Sequence, residues 1–184
     1  YIDIIDRQAY RLKKLTEDLV EASKASTGNI AVNKEKIDIN LLLSQAAGEY
    51  EDKLKEKQIE LVLSYSEESA YIECDGRLMW RVLDNLLSNI GKYAQEHTRV
   101  YISSEKSNGK VNLTFKNVSK YQLNISADEL TERFVRGDSS RNTEGSGLGL
   151  SIAKNLTELQ GGMFKIEIDG DLFKTNIVFT EKQD

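Results

Sequence analysis

The hydrophobic period of the chain changes abruptly at Gly28-Asn29, and that change limits the folds open to it more than any other feature. Upstream, in "YIDIIDRQAYRLKKLTEDLVEASKAS", Ile5, Leu12 and Leu19 stand seven residues apart with Leu15 and Ala22 interleaved. The result is an a/d seam over about three heptads, too narrow to enclose a core, so the helix must lie against another helix. Two partners are open: the chain's own globular part, or the other half of a helical hairpin or dimer stem outside this sequence. The pattern is already running at Tyr1, as expected of a piece of a longer protein. The sequence divides accordingly into a helical segment, 1–28, and a globular part, 29–184.

Downstream the period alternates between two and 3.6. "IAVNKEKIDI" reads as short extended segments, and "NLLLSQAAGEYEDKLKEKQ" as a helix with Asn40 as its cap. "IELVLSYS" and "YIEC" alternate like strands, and "DGRLMWRVLDNLLSNIGKYAQEH" is a second helix. "RVYISSEK" and "KVNLTFKN" form a hairpin around Asn108-Gly109. An irregular polar stretch from about Ser119 to Ser146 holds a short helix near "SADELTERF". A helix in "GLGLSIAKNLTELQ" then ends at Gly161-Gly162, and two strands, "MFKIEIDG" and "LFKTNIVF", close the chain. Helices in this order can cover one face of a mixed, largely antiparallel sheet. The expected architecture is an α+β two-layer sandwich preceded by a long helix.

Composition removes several classes of function. A net charge of −5 without a long Lys/Arg run argues against nucleic acid as a partner. Cys74 is the only cysteine, so neither a disulfide framework nor a cysteine zinc site is available. No apolar run has the length of a membrane span, and no membrane contact is expected of this segment.

Two stretches carry chemistry. On the second helix Met79, Val82, Leu83, Leu86, Ile90 and Tyr93 form an apolar face, bordered by Asn85, Asn89 and Lys92 at i, i+4 and i+7. An amide oxygen can ligate Mg²⁺ without repelling phosphate, and a lysine supplies a point charge for the phosphates. A solvated polar edge would have the same spacing. In "EGSGLGLSIAKNL", Gly145, Gly147 and Gly149 alternate immediately before a helix. They make either a plain turn or a backbone that closes on negative charge at a helix N-terminus.

Together these stretches resemble a known family. "LDNLLSNIGKYA" is similar to the N box, "RFVRGDSS" to the F box and "EGSGLGLSIAKNLTELQGG" to the G2 box of sensor histidine kinases, members of the GHKL ATP-binding superfamily. The boxes occur in the family's order, the similarity runs from about Ile37 to Phe179, and the opening helix resembles the second helix of the dimerisation and phosphoacceptor hairpin. The resemblance implies the Bergerat sandwich fold, with ATP and Mg²⁺ as cofactors. It implies Asn85 as the Mg²⁺ ligand, Asn89 and Lys92 at the phosphates, and Tyr93 near the nucleotide. Gly145, Gly147, Leu148, Gly149 and Leu150 would close over the phosphates, and Arg136 would join Lys92 in steadying the transferred phosphoryl group, with Arg141 a second cation of the same segment. Thr175 would lie beside the adenine, unless it is an ordinary strand threonine. The implied reaction moves the γ-phosphoryl group to a histidine outside this sequence and then to an aspartate of a response regulator. The implied assembly is a homodimer through the helical hairpin, anchored in the cell membrane with this domain in the cytoplasm.

The chain departs from the family in its G1 box. Where DxGxG is usual it reads "FKNVSKYQLNIS", so Lys116 or Asn117 replaces the base-binding Asp and the glycines are missing. Two rival functions follow. A GHKL hydrolase typically carries a water-activating Glu four residues before the N-box Asn, where this chain has Arg81. A nucleotide-binding signalling module without phosphotransfer is the other. His97, the one histidine, is preceded by Glu96 and follows the N-box helix as a turn residue capping its C-terminal end, where it needs no catalytic role.

Overall fold

The computed structural model describes residues 2–66, 68–123, 126–131 and 147–183. In chain order the elements are α1 (Ile2–Ser26), β1 (Glu35–Asp38), α2 (Ile39–Lys55), β2 (Glu60–Tyr65), β3 (Tyr71–Cys74), α3 (Gly76–Tyr93), β4 (Arg99–Ser107), β5 (Lys110–Val118), α4 (Ala127–Leu130), α5 (Gly149–Leu159), β6 (Met163–Asp169) and β7 (Leu172–Thr180).

Five strands form one sheet in the order β2-β4-β5-β7-β6, parallel between β2 and β4 and antiparallel elsewhere. Parallel neighbours need a crossover, and α3 supplies it, which lays that helix on the sheet. β3 does not join this sheet; it pairs with β1 in a separate two-stranded ribbon. The β4–β5 hairpin turns at Asn108-Gly109, both at positive φ (53° and 70°), the backbone a tight two-residue hairpin requires.

Alternation along β5 and β7 turns Leu113, Phe115, Ile177 and Phe179 toward the helices, where they meet Leu43 of α2, Leu83 and Leu86 of α3 and Ile152 and Leu156 of α5 in one buried cluster. The expected two-layer α+β sandwich with a mixed sheet is therefore present, preceded by the long helix. Met79, Val82, Leu83, Leu86 and Ile90 are buried as their spacing requires, whereas Tyr93 is half-buried.

Three local expectations need correction. Asn40 does not cap α2: the helix begins at Ile39, and the side chain of Asp38 accepts the Asn40 N–H at 3.0 Å. Asp38 is one residue earlier and equally able to cap, so the choice depended on where the preceding strand stopped. The second helix ends at Tyr93, because Ala94 and Gln95 turn to bond the end of β5. His97 therefore does not cap it; it lies exposed in the following turn at φ 62°.

The α1 seam is divided between its two possible partners. Ile5, Leu12 and Leu19 are 65%, 66% and 43% exposed, while Ala22 and Ala25 are buried in the core cluster. The last two turns thus dock on the globular part, and the rest of the stripe faces outward. No helix among the described residues is long and apolar enough to cross a membrane.

Candidate nucleotide site

Asp75 fixes where α3 starts. Its carboxylate accepts the N–H groups of Arg77 (3.0 Å) and Leu78 (3.2 Å) at the helix N-terminus and that of Asn33 (3.0 Å), while its own N–H donates to Gln160 Oε1 at 2.9 Å. The start of α3 and the end of α5 are tied together by this one residue. The Asn33 N–H, with those of Leu78 and Arg77 and the Arg77 charge, outweighs burial and holds the carboxyl below its ordinary range. A depressed folded value means stability that is complete above the ordinary aspartate range and is lost as pH falls through the folded value. Asp75→Ala is expected to cost about 2 kcal/mol at neutral pH, from the lost cap and the orphaned N–H groups, and less at an acid pH below the ordinary aspartate range, where the wild-type carboxyl is losing that contribution. Urea titrations at the two pH values check this; an equal loss at both would assign the effect to packing.

Three turns along α3, the polar strip meets α5. Asn85 donates its Nδ2 to the Arg81 carbonyl at 2.9 Å, which turns Oδ1 away from its own helix. A Cβ placed on Gly149 would stand 3.3 Å from that oxygen, so the glycine leaves space in front of it. Gly147 has φ 72°, a conformation glycine adopts without steric cost, and Leu148 behind it is fully buried and anchors the turn. Among the described residues no side chain caps the N-terminus of α5, and the Ser151 hydroxyl donates back to the Leu148 carbonyl at 2.9 Å. Donors at a helix N-terminus beside an outward amide oxygen form a place for an anion accompanied by a cation. Among the described residues no group of three or more His, Cys, Asp or Glu could hold a metal. The donor set fits a divalent ion held by one amide oxygen and by oxygens brought in with a ligand.

Asn89 is half-buried and Lys92 exposed on the same edge of α3, with Tyr93 half-buried at its end and Leu150 half-buried on α5. Lys120 N–H donates to the Tyr93 carbonyl and Gln95 N–H to that of Val118, both at 2.8 Å, which pins this end of α3 to the end of β5. There Asn117 and Thr175, 4% and 1% exposed, face the helices from β5 and β7. Lys116 points the other way, with its Nζ 5.6 Å from the Tyr101 ring on the uncovered face of the sheet. Of the two residues that could stand in the G1 position, only Asn117 is on the helix-covered side. Arg136, Arg141 and Gly145 lie outside the described residues.

Arg81 was notable in the sequence only for not being a glutamate. In the structure it gathers Glu21 (2.8 Å) and Asp18 (3.0 Å) from α1 and Asp84 (3.3 Å) from its own helix, and Asp84 accepts the Tyr50 hydroxyl of α2 at 2.5 Å. Burial opposes the guanidinium charge, but the bond to Glu21 and the charges of Glu21, Asp18 and Asp84 more than offset it. Burial and the bond to Asp84 likewise push the Tyr50 hydroxyl well above its usual range. The Cys74 thiol is pushed up to about 12 by burial, which leaves it unreactive.

A family profile described as histidine kinase-, DNA gyrase B- and HSP90-like ATPase matches residues 74–182, from the residue before Asp75 to just past the last strand. The chain is 30% identical over 162 residues to the probable sensor protein PcoS of Escherichia coli, covering 87% of this chain and 34% of that protein. It is 29% identical over 186 residues to the sensor histidine kinase WalK of Bacillus subtilis, covering 98% of this chain and 30% of that one. The chain thus spans about a third of the length of these relatives. Among solved structures, full-length ShkA in complex with AMPPNP superposes with a TM-score of 0.85 at 21% identity, over 100% of this chain and 39% of that one.

Proposed function

The chain belongs to the histidine kinase-, DNA gyrase B- and HSP90-like ATPase family as a catalytic domain of the sensor histidine kinase kind, and from that premise we propose that it binds Mg-ATP for phosphoryl transfer to a histidine on another segment. The observation that carries this reading is the meeting of Asn85 Oδ1 with the glycine-opened N-terminus of α5. In this arrangement Asn85 holds Mg²⁺, Asn89 and Lys92 meet the phosphates, and Gly147 to Leu150 bring main-chain donors over them. Bound Mg²⁺ supplies charge neutralisation to the phosphate oxygens. Tyr93, Asn117 and Thr175 line the base end. Arg136 and Gly145 belong to the same proposal on sequence grounds alone.

The arrangement favours transfer over hydrolysis. Arg81, one turn before Asn85, is engaged by three carboxylates and cannot accept a proton from water. The outward stripe of α1 supports residues 1–28 as one helix of a dimerisation hairpin, with residues 29–184 as the nucleotide domain. In the longer protein a homodimer anchored in the cell membrane would pass the phosphoryl group to a response regulator.

His97 is the one histidine of the sequence, exposed in a turn, with Glu96 3.8 Å from Lys120. The chain is therefore expected to bind Mg-ATP in calorimetry yet take up no label from γ-labelled ATP, and a chain extended upstream by the missing hairpin helix is expected to become labelled. Label on the present chain that vanishes in His97→Ala would overturn this assignment.

A further inference from the structure

We propose that Gln160, at the opposite end of α5 from Gly149, is a positioning residue for the Mg-nucleotide: its buried amide fixes where the N-terminus of α5 stands beside Asn85. The inference rests on the nucleotide reading above and adds to it a residue outside the site. Two ties join α3 and α5. At one, the Asp75 N–H at the start of α3 donates to Gln160 Oε1 at 2.9 Å; at the other, Asn85 Oδ1 faces the space that Gly149 leaves. Asn85 is ten positions beyond Asp75, about 15 Å of helix, and Gln160 is eleven beyond Gly149, about 16.5 Å. The spans match, so the helices run antiparallel and the first tie sets the second.

Gln160 is 1% exposed, and both ends of its amide are engaged: Oε1 by the Asp75 N–H, and Nε2 by the Leu156 carbonyl, to which it donates at 2.8 Å. One bond reaches the facing helix and the other returns to its own. Beyond it the turn is closed, since a Cβ on Gly162 would stand 2.6 Å from the Phe179 ring and 2.8 Å from the Thr157 methyl. α5 is therefore seated at its C-terminal end, and the place of its N-terminus follows from there. Between the ties, Leu83 and Leu86 share a buried cluster with Ile152 and Leu156, and apolar burial is non-directional. A slip of one residue would carry the α5 donors about 1.5 Å along the axis and about 100° around it, away from an ion held by Asn85. The directional bond from Asp75 excludes that slip.

The test is calorimetric titration with Mg-ATP at about pH 8, where an imidazole is neutral. Gln160→Met has similar length and neither amide group, and it is expected to bind about five- to thirtyfold more weakly while circular dichroism shows a folded domain. Gln160→His keeps one acceptor and one N–H donor and should regain most of that affinity. In an Asn85→Ala background the further loss from Gln160→Met should shrink to about threefold or less, because both residues act on the same ion and their effects do not add. Three results would each overturn the role while leaving the nucleotide reading intact: wild-type affinity in a folded Gln160→Met, no gain in Gln160→His, or losses that simply multiply in the double variant. Should Gln160→Met not fold, Gln160→Asn, one carbon too short to span both partners, replaces it with the same expected loss and the same overturning results. A wild-type chain that binds no Mg-ATP overturns the nucleotide reading and this inference with it.

Discussion

Asn85→Ala is expected to weaken Mg-ATP binding by about 30- to 150-fold while leaving the fold intact. The magnitude follows from removing one charge-assisted contact worth about 2–3 kcal/mol, at about 1.4 kcal/mol per tenfold. Stability should hardly change, because the side chain is half-buried and its bond within the domain goes to a carbonyl of its own helix. Alanine is also the better helix former. Gly149→Ala approaches the same point from the opposite helix, since the new methyl would stand 3.3 Å from Asn85 Oδ1. It should reduce affinity without lost helicity. Calorimetric titration with Mg-ATP, alongside thermal unfolding, separates binding from folding. Wild-type affinity in Asn85→Ala would remove that residue from the site.

Arg81→Ala is expected to release α1 from the globular part without unfolding that part. The guanidinium side chain is 31% exposed, and its partners Asp18 and Glu21 on α1 are 11% and 25% exposed. Its removal takes from Asp18, Glu21 and Asp84 the guanidinium they share. Breaking a buried pair costs about 3–5 kcal/mol, and partial exposure here reduces that to about 2–3 kcal/mol. The sheet and the other helices keep their own core, so the loss should fall on the docked turns of α1 around Ala22 and Ala25. Hydrogen exchange is the appropriate measurement: amides of residues 18–26 should lose protection while those of β5 and β7 keep theirs. Arg81→Lys should restore only part of it, since a point charge cannot serve three carboxylates in a fork. Unchanged protection of 18–26 in Arg81→Ala would mean that the alanine contacts alone seat the helix.

These two residues differ in how far the sequence disclosed them. The strip that holds Asn85 is legible from spacing within one helix, because i, i+4 and i+7 lie on one edge wherever that helix is placed, while the role proposed for it comes from the family resemblance. Arg81 gave no positive signal, because its two partners on α1, Asp18 and Glu21, are about 60 residues upstream and on a different helix. Tyr50 and Gln160 were missed for the same reason: each is an ordinary helical residue until a distant segment brings Asp84 or Asp75 against it.

What depends on short-range order could be read directly from the chain: the strands and helices, the Asn108-Gly109 turn, the apolar face of α3 and the glycine spacing ahead of α5. Their signals are steric and periodic, and they act over a few residues. Packing alone decided that β3 leaves the main sheet for β1, that α1 docks by its last two turns only, and that Asn117 rather than Lys116 faces the helices. Packing likewise brings Asn85 Oδ1 against Gly149, 64 positions apart in the numbering (149 − 85). Such contacts depend on which surfaces bury each other across the layer, and local periodicity carries no information about distant partners.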